Sequence, residues 1–254
     1  DLFNKYNFSK QVFLILGTQF QFMDMLEESA YESITNTQAN FNVFDPYATL
    51  VYYSNFGLNI NAGARINNHN VYGNYTTFNF NPSFNFKTIP LKLISSYSTA
   101  YITPSLYQLY SPYGNLTLKP EENTTIEAGF ETNLFQNKIS FNAVGFYREE
   151  ENSYDFFTDE VTYESKYINN SSQVIAKGIE TNLGFNPVSY LSINGNYTFT
   201  QVAEAQSKLI PKHKVNVSFD VDLTKKIHWN TQYQYVESRN DAFFDSNTFA
   251  TVNT

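Results

Sequence analysis

Thr76-Thr77-Phe78-Asn79-Phe80-Asn81-Pro82-Ser83-Phe84-Asn85-Phe86-Lys87 is the stretch from which the fold is read. Phe78, Phe80, Pro82, Phe84 and Phe86 alternate with Thr77, Asn79, Asn81, Ser83 and Asn85. Successive side chains of a strand point to opposite faces, so a period of two makes one apolar and one polar face. Pro82 lacks the N–H that a central strand donates, and a bulge or local break is expected there.

The same rhythm recurs at Leu58 to Ile66, Leu91 to Tyr101, Thr124 to Leu134, Ile139 to Tyr147, Gly178 to Phe185 and Leu191 to Phe199. It is clean at Val215 to Leu223, where Val215, Val217, Phe219, Val221 and Leu223 oppose Asn216, Ser218, Asp220 and Asp222, and it returns at Ile227 to Tyr235. With Val12 to Met25 and Tyr47 to Ser54 the pattern predicts about eleven strands, and Phe249 to Thr254 begins another. Short turns, near Asn55-Phe56-Gly57, Thr88-Ile89-Pro90, Gln136-Asn137-Lys138, Pro187-Val188-Ser189 and Thr224-Lys225-Lys226, alternate with longer polar segments. The long segments are Glu27 to Asp45, Asn67 to Tyr75, Ile102 to Asn123, Arg148 to Ser172, Gln201 to Pro211 and Glu237 to Asn247. Sorting of this kind is the habit of an up-and-down outer-membrane barrel, with short periplasmic turns and long extracellular loops. The expected fold class is therefore all-β: an antiparallel transmembrane β-barrel wall. Tyr52, Tyr53, Phe86, Tyr97, Tyr101, Phe135, Tyr147, Tyr190, Phe199 and Trp229, near strand ends, are expected to form the interfacial aromatic girdles.

Composition narrows the function. Of 254 residues, 18% are aromatic and only 16% charged, a balance poor in the charge that a water-exposed surface usually carries. The net charge of -8 argues against a nucleic-acid partner, which requires clustered Lys and Arg. There is no Cys, so disulfides and thiolate metal sites are excluded. No apolar run has the length of a membrane helix, whereas a barrel strand needs only about 9 to 11 alternating residues. His69, His213 and His228 lie apart from any second His, Cys or serine elbow, and no phosphate-cradling glycine loop occurs, so no catalytic residue, metal or cofactor is expected. Glu149, Glu150, Glu151, Asp155, Asp159, Glu160 and Glu164 crowd one long segment without EF-hand spacing and read as a solvated loop face.

Between Ser95 and Glu131 the chain reads SSYSTAYITPSLYQLYSPYGNLTLKPEENTTIEAGFE. This resembles a stretch characteristic of TonB-dependent receptors, carried by Ala100-Tyr101, Pro104-Ser105, Leu109-Tyr110, Gly114-Asn115, Leu118-Lys119-Pro120-Glu121 and Glu127-Ala128-Gly129. Further on, Asn169-Asn170 with Lys177-Gly178-Ile179-Glu180 is similar to the family's asparagine turn and Gly-hydrophobic-Glu strand. Gly57-Leu58 through Gly63-Ala64-Arg65 resembles another of its strands. Leu116 departs from a common proline, and Ile102-Thr103 from a basic-alanine pair.

The resemblance implies that residues 1–254 are a partial barrel domain, with about 11 to 12 strands of a 22-stranded barrel, the plug domain and the final strands being absent from this chain. It implies an outer-membrane, TonB-energised receptor of a Gram-negative bacterium for a scarce ligand of siderophore, haem or cobalamin type. Partners implied are outer-membrane lipid, TonB acting through a plug, a small molecule such as a metal chelate, and a surface lipoprotein. Tyr107, Tyr110 and Tyr113 are candidates for ligand contact in the outer vestibule, since aromatic rings give large area with a polar tip. Pro104 to Glu121 otherwise reads as loop architecture, with Gly114-Asn115 supplying a turn. Competing readings are a passive porin, which an upstream plug would exclude, and a soluble β-rich adhesin or glycan-binding module, which detergent-free monomeric solubility would favour.

Overall fold

The computed structural model describes the chain except residues 29–32, 36–37, 160, 204–209, 239–242, 246–249 and 253–254. The alternating segments form a single twelve-stranded sheet. In chain order the elements are β1 (Leu2–Asn7), β2 (Val12–Asp24), β3 (Glu27–Glu28), β4 (Ser33–Ile34), β5 (Asn40–Tyr53), β6 (Leu58–His69), β7 (Gly73–Asn85), β8 (Leu91–Ile102) and α1 (Leu106–Tyr110). They continue as β9 (Glu121–Leu134), β10 (Ile139–Glu151), β11 (Tyr154–Thr158), β12 (Ser165–Asn169), β13 (Val174–Val188), β14 (Leu191–Val202), β15 (His213–Thr224), β16 (Ile227–Val236), β17 (Phe243–Asp245) and β18 (Ala250–Val252).

The sheet runs β1-β2-β5-β6-β7-β8-β9-β10-β13-β14-β15-β16, so each wall strand pairs with its neighbours along the chain, as in an up-and-down barrel. Its pairings are antiparallel. β3–β4 and β11–β12 are small hairpins set into long connections on one end of the wall, and the hairpin β17–β18 follows β16. Residues Phe249, Asn253 and Thr254 of the expected last strand lie outside the described residues, and Ala250–Val252 pairs with β17 instead of the wall.

One polar row shows how the faces are sorted. Asn85, Lys92, Glu131, Asn142, Asn182, Asn196, Asn216 and Gln234 are register partners across eight consecutive wall strands. Asn182 Nδ2 donates to Asn142 Oδ1 at 2.9 Å, Asn216 Nδ2 to Asn196 Oδ1 at 2.7 Å, and Lys92 pairs with Glu131 at 2.9 Å. Counted from the short-turn end, Lys92 is the second residue of β8 and Gln234 the eighth of β16. The row climbs the wall because the strands are staggered, which is the shear needed to roll a sheet into a barrel.

The opposite face holds the apolar set and leaves it uncovered. Phe20 is 65% exposed, Leu183 45% and Tyr233 62%. A water-soluble sandwich would bury such residues, whereas a membrane barrel turns them to hydrocarbon. A small cluster at the long-connection end packs in the ordinary sense, where Ile34, Ala39, Phe41 and Leu106 are buried together.

Pro82 behaves as its chemistry requires. It pairs with Ile60 on β6, but the β7–β8 ladder passes from Phe80 to Ser83 without pairing Asn81 or Pro82. Ser96 Oγ fills the gap by donating to Asn81 Oδ1 at 2.8 Å. One expectation needs correction. Asn67 to Tyr75 is not a long loop: β6 and β7 stay paired to His69↔Gly73, and only Asn70, Val71 and Tyr72 turn. Tyr101 stacks face to face on Tyr75 at 4.4 Å.

Candidate functional site

The family-like segment after β8 opens with a capped helical turn. Ser105 Oγ accepts from the amide of Gln108 at 3.2 Å, and Gln108 Oε1 accepts from the amide of Ser105 at 2.8 Å, a reciprocal capping box. This starts α1, whose Leu106 and Leu109 are buried, with Pro104 fully buried before it and Leu118 buried after it. Four apolar anchors thus pin the segment down while its aromatic residues stay at the surface.

Gly114 is required by contact. A Cβ there would lie 2.5 Å from the Leu109 carbonyl oxygen and 2.7 Å from that of Ser111. The turn it permits lets the Asn115 amide donate to the Gln108 carbonyl at 2.9 Å. Asn115 then works in two directions: its Oδ1 accepts from Thr117 N–H at 2.9 Å, and its Nδ2 donates to the Tyr167 carbonyl at 2.9 Å.

The β11–β12 hairpin is joined to this segment by a second clamp. Asn169 Oδ1 accepts from Lys119 N–H at 2.7 Å, while Asn169 Nδ2 donates to the carbonyls of Lys119 at 2.9 Å and Asn152 at 2.6 Å. Glu121 adds a third tie by accepting from Tyr154 N–H at 2.6 Å. Pro120, half-buried, lies between the two clamped positions. Gly178 and Glu180 sit below on β13. A Cβ on Gly178 would meet the Phe199 carbonyl oxygen at 1.9 Å, so two strands touch there, and Glu180 faces Thr198 across the ladder.

The clamps bring together an aromatic surface that the sequence shows only in part. Tyr107 meets Tyr167 edge-on with ring centres 6.3 Å apart, Phe156 meets Tyr167 at 5.2 Å, and Tyr113 meets Phe156 at 5.6 Å. Tyr107, Tyr113 and Phe156 are exposed. Tyr110, the middle of the expected trio, turns inward against the Phe41–Leu106 cluster. Phe156 and Tyr167 were missed as site residues, and no local signal in the acidic segment marks them.

Beneath Tyr110 lies a buried polar group. His69 Nδ1 accepts from the amides of Val71 and Tyr72 at 3.1 and 3.3 Å, which places the ring proton on Nε2. That Nε2 is buried without a partner, with the Phe41 ring at 4.7 Å and the Tyr72 ring at 5.1 Å. Burial, reinforced by neighbouring Tyr101 and Tyr110, pushes the Tyr72 hydroxyl up to about 12. Burial, followed by the Glu121 carboxylate, raises that of Tyr154 as well. Both hydroxyls therefore stay neutral at physiological pH, and the site's chemistry is hydrogen bonding and ring contact.

No group of three or more His, Cys, Asp or Glu side chains is placed to hold a metal among the described residues. In the acidic segment, Asp159 is spent on the hairpin turn, accepting from Val161 and Thr162 N–H, both at 2.8 Å. Glu160 lies outside the described residues. Below the rim, the polar face forms a concavity of about 730 Å³ lined by Ser140, Asn142, Asn182, Asn194, Asn196 and Asn216 among others.

A meandering sheet with one lipid-type face, one polar face and a clamped aromatic rim matches a known family over nearly all its length. The model for the TonB-dependent receptor-like β-barrel covers residues 2–254. The chain belongs to this TonB-dependent receptor barrel family. Solved structures agree in fold. The siderophore receptor PirA of Pseudomonas aeruginosa superposes with a TM-score of 0.77 at 16% identity, covering 91% of this chain and 43% of that one. A variant of the ferric enterobactin receptor PfeA of Pseudomonas aeruginosa, in complex with enterobactin, gives 0.77 at 17% identity over 94% of this chain and 41% of the other. The copper transporter OprC gives 0.69 at 12% identity over 90% and 41%. The chain therefore spans about two fifths of the length of these receptors. Membership in the TonB-dependent receptor family implies a Gram-negative outer membrane, and the relatives are receptors and transporters by name.

Proposed function

We propose that this chain is wall and outer mouth of a TonB-energised receptor that captures a scarce metal chelate of siderophore type outside the cell. Its long connections face outward and its short turns face the periplasm, as in other barrels of this class. Closure of the barrel by further strands is expected because β1 and β16 each have only one neighbour in the sheet, and lipid does not tolerate an open edge. In this reading a plug fills the lumen against the polar face, TonB acts through that plug, and no bond in the ligand is broken.

The observation that carries the proposal is the clamped aromatic surface. Tyr107, Tyr113, Phe156 and Tyr167 come from two connections about 50 residues apart and are locked by Asn115 and Asn169. Rigid rings, most of them exposed and three of them phenolic, suit a flat, partly aromatic chelate, because little side-chain entropy is lost on contact. The test is a titration of the intact purified receptor with ferric enterobactin, haem and cyanocobalamin, read by intrinsic fluorescence. Saturable binding of the ferric siderophore that weakens at least tenfold in the Tyr107→Ala/Tyr113→Ala double variant is expected. Binding of none of the three, or binding unchanged in that variant, contradicts the reading.

A further inference from the structure

The charges of the wall are sorted from end to end. The six short connections, residues 8–11, 54–57, 86–90, 135–138, 189–190 and 225–226, contain Lys10, Lys87, Lys138, Lys225 and Lys226 and no Asp or Glu. All five lysines are exposed, and among the described residues none is ion-paired. Acidic side chains on the adjoining strands are already engaged: Glu131 by Lys92, Asp220 by Asn230 and Asp222 by His228. The opposite rim is net acidic, with Asp24, Glu27, Glu28, Asp155, Asp159 and Glu164 against Lys119, Lys166 and Lys212.

Rings accompany the lysines. Phe8, Phe56, Phe86, Phe135 and Tyr190 are exposed, one on each of five of the six connections. They continue the wall's apolar face: Phe8 packs edge-on against Tyr6 at 4.9 Å, and Phe84 contacts Phe86 at 5.0 Å and Phe56 at 6.5 Å. Aromatic side chains at a barrel's margin lie at headgroup depth, which brings lysines on the same turns to the level of lipid phosphates. Rings alone accept any headgroup, whereas unpaired ammonium groups select those with net negative charge.

We infer that the short-turn rim is a binding surface for anionic phospholipid headgroups in the leaflet it faces. The inference rests on the membrane-barrel reading. A soluble anionic polymer is disfavoured because Lys10, Lys87 and Lys138 share their connections with exposed rings at the margin of the apolar wall. Five lysines on one rim, opposite an acidic rim, also orient the barrel in a bilayer of asymmetric charge.

The experiment compares the intact receptor with a K10Q/K87Q/K138Q/K225Q/K226Q variant in mixed phosphatidylglycerol and phosphatidylcholine nanodiscs. Co-purified lipid is counted by mass spectrometry at low and high salt, and heat-modifiable migration reports the folded barrel. The native rim should enrich phosphatidylglycerol several-fold at low salt, less at high salt, with each lysine contributing up to about fivefold to headgroup affinity. The variant should fold and lose the enrichment. A folded native receptor with no enrichment, or a folded variant that keeps it, overturns the inference alone. Failure of the native receptor to insert into any bilayer overturns the barrel reading and the inference with it. Should the variant not fold, K225Q/K226Q replaces it, with partial loss expected and no loss contradicting the inference.

Discussion

Neighbouring residues on β15 carry opposite duties. Val217 belongs to the apolar face, and Asn216 donates to Asn196 across the polar one. Val217→Arg is expected to cost about 2 to 4 kcal/mol at the bilayer midplane and Phe84→Arg, beside the short turn, about 0 to 1 kcal/mol, while Asn216→Arg is far milder than Val217→Arg. Denaturant titration of the barrel folded in lipid measures the difference, and equal costs on both faces contradict the assignment. Asn169→Ala removes two hydrogen bonds between the two rim segments and a third within its own, an expected loss of about 1 to 3 kcal/mol of local stability. Faster amide exchange at Lys119 would show it, and unchanged protection would count against the clamp. Alternation, turns and the Gly114-Asn115 and Lys119-Pro120-Glu121 stretch are all legible in sequence, because each depends on near neighbours. The Asn169 pairing with Lys119 is not, since it joins residues 50 apart.

Elements departed from expectation where local composition misleads. β1 was overlooked because Leu2, Asn4 and Tyr6 alternate with Phe3, Lys5 and Asn7, which marks neither face as apolar. The Asn67–Tyr75 stretch has loop-like composition, yet its amides serve the strands: Asn67 Nδ2 reaches Thr77 Oγ1 at 3.3 Å and Asn68 Nδ2 the Phe44 carbonyl at 2.7 Å. α1 lies within the Pro104 to Glu121 stretch that reads as loop architecture, because its five residues are too few to show helical periodicity. Ser105→Ala should loosen α1 by about 1 kcal/mol, seen as increased proteolysis after Tyr107 or Tyr110, and wild-type resistance would refute it. The β11–β12 turn has its own pH dependence. Backbone hydrogen bonds from Thr162 and Val161 hold the Asp159 carboxyl below its ordinary value. Its stabilising contribution is complete above the unfolded value of about 3.9 and is lost as pH falls through the lower folded value. Exchange at Val161 and Thr162, corrected for intrinsic rate, should rise over that window and become pH-independent in Asp159→Asn.

At the scale of the whole molecule, the wall, its lumen side and its two rims follow from one arrangement. Period-two strands, staggered as they pair, give an apolar outside and an amide-rich inside. Long connections gather at one rim, where they build a clamped aromatic mouth, and short basic turns gather at the other. The most direct test is a nitroxide scan from Val215 to Asp222 in the receptor reconstituted in lipid, reading accessibility to oxygen and to a water-soluble nickel chelate. Oxygen contact should peak at Val215, Val217, Phe219 and Val221 and nickel contact between them. Accessibility without that alternation, or nickel reaching both sets equally, would contradict the barrel wall.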